Sequence, residues 1–244
     1  MKLLVSVRNV AEARLAAAAG VELIDLKEPD HGALGAVPID VIRSVVEVLR
    51  QRHPQASISA TVGDHASGEL AAIIARVQAT AATGVDWVKV GIDRASGSLA
   101  EAVGLIETLG TCGLPVVPVF LADRGLEPAL WQAAARQRFA AWMLDTANKR
   151  SGSLLDQLHN DELTAFIARA KAAGALAGLA GSLRLADLPR LQALAPQVTG
   201  FRGAVCTGDR RGALDPLHLR QLRQLHQVQC TAAAPELMRS SLAA

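Results

Sequence analysis

The feature that most constrains this chain is an alternation that runs through nearly all of its length. Short apolar stretches at 3–7, 22–27, 57–62, 86–90, 115–121, 140–145, 176–180 and 198–202 are each followed by a longer amphipathic one. Those lie at 10–19, 39–50, 69–83, 99–109, 126–137, 161–173, 185–194 and 216–227. Brief runs rich in Val, Ile and Leu read as strands buried on both faces, and the amphipathic stretches as helices that cover them. Strand then helix, eight times over, specifies a parallel sheet. An open doubly wound sheet alternates in the same way, but the count of eight and the 244-residue length match a closed (β/α)8 barrel. Helix-to-strand turns recur in similar form, Ala-Gly-Val-Glu at 19–22, Thr-Gly-Val-Asp at 83–86 and Ala-Gly-Ala-Leu at 173–176. Glycine there supplies a left-handed cap before the next strand. The expected organisation is a single α/β domain, a TIM barrel over residues 1–229, followed by a short Ala/Ser-rich tail at 230–244.

Composition narrows the function classes. Half of the residues are apolar but only 3% are aromatic, with no Tyr, so aliphatic side chains must fill the core. The net charge is +2 and the basic residues are scattered, so the basic stripe with interleaved aromatics that marks a nucleic-acid binder is missing. No apolar run approaches the roughly 20 residues of a membrane span. The apolar start of the chain breaks at Arg8, too early for a signal-peptide core. Cys112, Cys206 and Cys230 are odd in number and far apart, which suits a reduced, cytoplasmic protein better than a disulfide scaffold or a zinc site. No Walker motif, dinucleotide fingerprint or histidine-rich metal spacing occurs, and the lysine chemistry set out below requires neither metal nor organic cofactor. The expected partner is a small phosphorylated molecule, not nucleic acid or a membrane, and the sequence leaves a homo-oligomer open.

The lysines carry the chemistry. Twenty of the 25 basic residues are Arg, and the only lysines are Lys2, Lys27, Lys89, Lys149 and Lys171. Lys27, Lys89 and Lys149 fall at or just after the expected ends of strands 2, 4 and 6, which ring the mouth where barrel enzymes build active sites. A guanidinium stays protonated, whereas a crowded ammonium can release its proton and become a nucleophile or base. A single such lysine would read as a solvated loop charge; three at alternate strands of an Arg-biased chain point to function. Carboxylates accompany them. Asp25 and Lys27 share one face of strand 2, and Asp145 ends strand 6 four residues before Lys149. A carboxylate inside a barrel needs a cation, so Asp25 is expected to pair with Lys27, or Asp145 with a lysine across the mouth. Asp64 and His65, after strand 3, are candidates for proton handling.

Strands 7 and 8 end in small residues, Gly178-Leu-Ala-Gly-Ser-Leu183 and Gly200-Phe-Arg-Gly-Ala204, the latter running into Cys206-Thr-Gly-Asp-Arg210. Loops at this pair of strands form the usual phosphate site of the fold, through peptide N–H groups. Gly181, Ser182 and Gly203 are the candidates, with Arg202 adding a charge-assisted contact. Ser182 as a plain helix cap and Gly181 as a plain turn residue are the simpler alternatives.

Taken together, Asp25-Leu-Lys-Glu-Pro29 with Gly32-Ala-Leu-Gly35, Ser59-Ala-Thr-Val-Gly-Asp64, Val88-Lys-Val-Gly91, Met143-Leu-Asp-Thr-Ala147 with Lys149, Leu179-Ala-Gly-Ser182 and Phe201-Arg-Gly-Ala204 resemble the (5-formylfuran-3-yl)methyl phosphate synthase family, also called 4-(hydroxymethyl)-2-furancarboxaldehyde-phosphate synthase. The resemblance runs in order from residue 2 to about residue 226. It implies a barrel lyase of methanofuran-type cofactor biosynthesis, a family also found in methylotrophic bacteria. The implied reaction condenses two molecules of glyceraldehyde 3-phosphate, with loss of one phosphate and water. It implies further that Lys27 is the Schiff-base lysine and Lys89 the proton acceptor, with Asp25, Asp145 and Lys149 assisting proton transfers. The segment 120–125 departs from the family's pattern, and no role is carried onto Asp123. Another Schiff-base aldolase on sugar phosphates shares these features. A non-catalytic phosphate sensor would need charge but not amines, and a pyridoxal-phosphate barrel would betray itself by absorbance.

Overall fold

A computed structural model describes residues 1–93 and 97–232. Eight parallel strands close into a barrel in chain order: β1 (Lys2–Val7), β2 (Leu23–Leu26), β3 (Ser57–Thr61), β4 (Trp87–Ile92), β5 (Val116–Leu121), β6 (Ala141–Asp145), β7 (Leu176–Leu179) and β8 (Val198–Phe201). Closure is made by β1 against β8, from Lys2 opposite Val198 to Val5 opposite Phe201. The outer layer is α1 (Val10–Ala18), α2 (Ile39–Arg52), α3 (Leu70–Ala81), α4 (Leu99–Thr111), α5 (Pro128–Ala135), the four-residue α6 (Leu154–Gln157), α7 (Asn160–Ala172), α8 (Leu188–Leu194) and α9 (Pro216–Ala232). Every strand lies within two residues of its expected place, and only α6 was not anticipated. Helix α9 runs past residue 229, and positions 233–244 of the expected tail lie outside the described residues.

The helices form because their apolar residues recur at helical spacing. Helix α2 buries Ile42, Val45, Val46 and Leu49, and α4 buries Ala102, Leu105, Ile106 and Leu109, at i, i+3, i+4 and i+7 in both cases. Ser98 starts α4 with a capping box: its hydroxyl accepts the Glu101 N–H and the Glu101 carboxylate accepts the Ser98 N–H. Gly20, Gly84 and Gly174 adopt the left-handed conformation after their helices, as the repeated turns require.

The strands sort their side chains by twos. Leu3, Val5, Ile24, Leu26, Ile58, Ala60, Val88 and Val90 face outward into the layer beneath the helices. Leu4, Val117, Val119, Leu121, Met143, Ala180 and Val198 pack inside the barrel. Burying an aliphatic side chain of this kind is worth about 1.5–3 kcal/mol, so the outer layer dominates stability. The inside also carries polar residues: Ser6, Asp25 and Ser59 lie side by side in register on β1, β2 and β3. Leu34, from the loop after β2, turns inward to where a side chain at Gly91 would stand. Among the described residues no helix is long and apolar enough to cross a membrane.

Candidate active site

The C-terminal ends of the strands surround a cavity of about 590 Å³, within the usual range for a small-molecule site. Lys27, Lys89, Lys149 and Asp145 line it, together with Gly181, Ser182, Arg202, Gly203 and Arg210. Lys27 follows the last residue of β2, and Asp145 is the last residue of β6. Lys89 sits three residues before the end of β4, deeper in the barrel than the sequence suggested, and is almost wholly buried.

Two carboxylates organise the three lysines. Asp145 accepts a hydrogen bond from Lys27 Nζ at 3.1 Å on Oδ2 and another from Lys149 Nζ on Oδ1. Asp25 accepts from Lys89 Nζ at 3.1 Å and from the hydroxyls of Ser6 at 2.9 Å and Ser59 at 2.6 Å. The expected Asp25–Lys27 pairing is therefore replaced by Asp25–Lys89, while the alternative, Asp145 with a lysine across the mouth, is found. Asp25 and Lys27 share a face, but β2 ends between the first partner and the second, and Lys27 leans towards β6. Both carboxylates are buried with at least one cation and further donors, which is what makes such burial tolerable.

The cluster holds one cation more than it holds carboxylates, and the electrostatics register this. Burial would raise the Asp145 pKa, but Lys149 and Lys27 outweigh it and hold the carboxyl well below the usual range. Burial and the Lys27 charge bring Lys149 down to about 8 against the pull of Asp145. A substantial fraction of Lys149 is thus free amine just above neutral pH.

The loop bearing Lys149 is braced from both sides. Asp123, just after β5, accepts the N–H groups of Ala147 and Asn148 at 2.7 Å each. Ser182 donates its hydroxyl to the Lys149 carbonyl, and the Gly181 carbonyl accepts the Leu154 N–H. Gly181 has φ of +107°, and a Cβ there would stand 3.0 Å from the Thr146 side chain, so only glycine fits the turn. Ser182 has φ of +48°, a strained conformation that such sites concentrate.

Arg202 does not serve as the sequence suggested. Its guanidinium pairs with the buried Glu12 and donates to the carbonyls of Ser6, Arg210 and Gly212, so its donors are spent on bracing β1 against the loop after β8. Asp64 and His65 are likewise displaced from proton handling. Asp64 accepts the N–H groups of Ala33 and Leu34 at 2.7 and 2.9 Å, and both residues line a separate, smaller pocket that none of the three lysines enters. Burial pushes the Cys206 thiol up to about 11, which rules it out as a ready nucleophile. Among the described residues no group of three His, Cys, Asp or Glu side chains is arranged to hold a metal ion.

Sequence reasoning missed Ser6, Ser59, Asp123 and Arg210. Ser6 had a signal, a hydroxyl at an inward position of an otherwise apolar strand; the others needed the fold.

Known proteins resemble this chain over most of its length. A relative from Methylorubrum extorquens is 40% identical over 224 residues, 90% of this chain and 89% of its own. The (5-formylfuran-3-yl)methyl phosphate synthase of Methanosarcina acetivorans is 36% identical over 225 residues, 88% of this chain and 94% of its own. Among solved structures, phosphoribosyl anthranilate isomerase from Thermus thermophilus superposes with a TM-score of 0.64 at 18% identity, covering 94% of this chain and all of its own, which speaks to the barrel alone. The model of the 4-HFC-P synthase family matches residues 3–223, and the chain belongs to that family of enzymes.

Proposed function

We propose that the protein is a Schiff-base lyase that condenses two molecules of glyceraldehyde 3-phosphate into (5-formylfuran-3-yl)methyl phosphate, with loss of phosphate and water, in methanofuran-type cofactor biosynthesis. The observation that carries this reading is the buried chain Lys27–Asp145–Lys149, beside the pair Lys89–Asp25, at the floor of one cationic cavity.

In this reading the Lys27 amine attacks a substrate carbonyl and expels water, leaving an imine that acidifies the neighbouring carbon. Asp145 holds the ammonium before reaction and stabilises the iminium after it. Lys149, with its free amine available near pH 8, accepts the proton that Lys27 must shed. Lys89, held by Asp25, reaches the carbon-bound proton as general base. The resulting enamine forms the new carbon–carbon bond. Gly181, Ser182 and Gly203, at the loops after β7 and β8, bind a substrate phosphate. The substrate, the Schiff base and the pathway rest on family likeness together with this lysine geometry.

The experiment is direct. Purified protein given only glyceraldehyde 3-phosphate should yield the furan phosphate by mass spectrometry, and borohydride should trap substrate on Lys27. An adduct located on Lys89 or Lys149 would reassign the nucleophile. No adduct and no furan would refute the reading.

A further inference from the structure

The reaction proposed above brings two phosphates into one cavity and lets one go, so two anion sites are needed. The peptide groups of Gly181, Ser182 and Gly203 supply one, and Gly203 stands beside the backbone of Arg210 on the loop after β8. The other emerges from an account of the arginines around the mouth.

Five arginines line the cavity: Arg150, Arg184, Arg202, Arg210 and Arg211. Arg184 is paired with Asp156 and Asp187, and Arg202 with Glu12. Arg211 is exposed and pairs with Asp30, and Arg150 is exposed. Arg210 differs from these. It is half-buried, and among the described residues it has no salt bridge; its Nη2 donates to the Gly32 carbonyl at 2.9 Å across the mouth. A guanidinium carries five N–H donors, so among the described residues most of the capacity of this cavity-lining side chain is unspent.

The charges around it explain what it lacks. Asp145 and Asp64 attract it, but Asp145 is committed to Lys27 and Lys149, and Asp64 to two peptide N–H groups. Arg202 and Arg211 repel it, and Arg210 in turn acts on Lys149. A partly desolvated cation among cations is a cost that an arriving dianion removes. Its planar fork also matches two phosphate oxygens, as an ammonium cannot.

We infer that Arg210 binds the phosphate that is expelled, holding it beside the Lys149–Asp145 pair while its carbon–oxygen bond breaks. A lysine amine takes the proton from the carbon next to the imine, and that C–H electron pair becomes a carbon–carbon double bond. The C–O bond one carbon further on then breaks, its pair leaving on the phosphate, where Arg210 meets the growing charge. No oxidant or reductant is involved. The contact to Gly32 lies on the exposed side of the mouth.

This inference rests on the proposed reaction, and the test separates the two. Arg210→Ala and Arg210→Lys are compared with wild type in two assays, borohydride trapping on Lys27 and single-turnover release of inorganic phosphate from glyceraldehyde 3-phosphate. Arg210→Ala should form the trapped adduct at saturating substrate but release phosphate about a hundredfold more slowly, as loss of one preorganised donor typically costs. Added guanidinium ion should restore release, and Arg210→Lys should recover it only in part. A merely structural tie would lose trapping and release together and would not respond to guanidinium; that result, or release at the wild-type rate, overturns the inference. Should the wild type itself neither trap substrate nor release phosphate, the proposed reaction fails. Calorimetric binding of inorganic phosphate then judges the anion site alone, and equal affinity in wild type and Arg210→Ala would overturn it.

Discussion

Replacing Asp145 by Asn tests the central charge bridge with little change of shape. In the wild type the carboxylate receives Lys27, Lys149 and the Thr146 N–H. Asn offers one carbonyl oxygen and two donors, so two buried ammoniums are left to share a single neutral acceptor. Breaking a buried pair in this way costs about 3–5 kcal/mol when both cations stay charged. The cost falls if one of them sheds its proton. Lys149 already titrates at about 8, against 10.5 for an ordinary lysine, and Asp145 is the group that holds it up. Without Asp145 its pKa must fall below 8. Between that lower value and pH 8 the folded variant carries fewer protons than its unfolded chain by one more than the wild type does. Stability rises with pH wherever the unfolded state binds more protons, here by up to about 1.4 kcal/mol per pH unit. Asp145 is ionised throughout this window and adds nothing to the slope. Urea unfolding should therefore show the gap between wild type and Asp145→Asn largest near pH 6, narrowing to pH 8 and level above it. A gap under about 1 kcal/mol, or one that is the same at every pH, would refute the bridge.

Lys27→Arg and Lys89→Arg keep their charge but lose the amine, and activity should fall by about a hundredfold or more while the proteins stay folded. Lys149→Arg should be impaired but less so, and the exposed Lys171→Arg should be silent; equal, mild effects at all four positions would show that the lysines are ordinary charges. Arg202→Ala should lower stability by about 3–5 kcal/mol, because it strands Glu12, and calorimetry should find phosphate affinity nearly unchanged at a temperature where the variant is folded. Asp123→Ala, which frees the Ala147 and Asn148 N–H groups, should lower kcat rather than raise KM and should shift the alkaline limb of the pH profile, with Asp123→Glu partly restoring both.

Much of this was legible in the sequence, for a physical reason. Strand and helix periods differ, so eight alternations announce eight βα units, and the sequence placed the lysines around one mouth, although Lys89 lies deeper in β4 than expected. Periodicity tells which face a side chain takes but not which residue it meets across the barrel. That is why Asp25 was matched to its chain neighbour Lys27 when its partner is Lys89, 64 residues on. Arg202 misled for a related reason. Glu12, the residue that consumes it, lies 190 positions away on an Ala-rich helix with nothing to mark it. Arg210 was hidden by the opposite fault: arginine is this chain's commonplace cation, and only the tally of partners around the mouth singles it out.

The Lys27–Asp145 contact has a consequence for assembly. Sliding one strand past its neighbour by two residues preserves the alternation of inside and outside, so aliphatic packing tolerates it better than a one-residue slip. Such a slip anywhere between β2 and β6 would carry Asp145 about 6.6 Å along the strand direction relative to Lys27. The two opposite charges would then be buried apart, at a penalty of several kcal/mol for each ion. The pair thus acts as a vernier for the shear of the cylinder, selecting one closed register from others that greasy residues alone would scarcely distinguish.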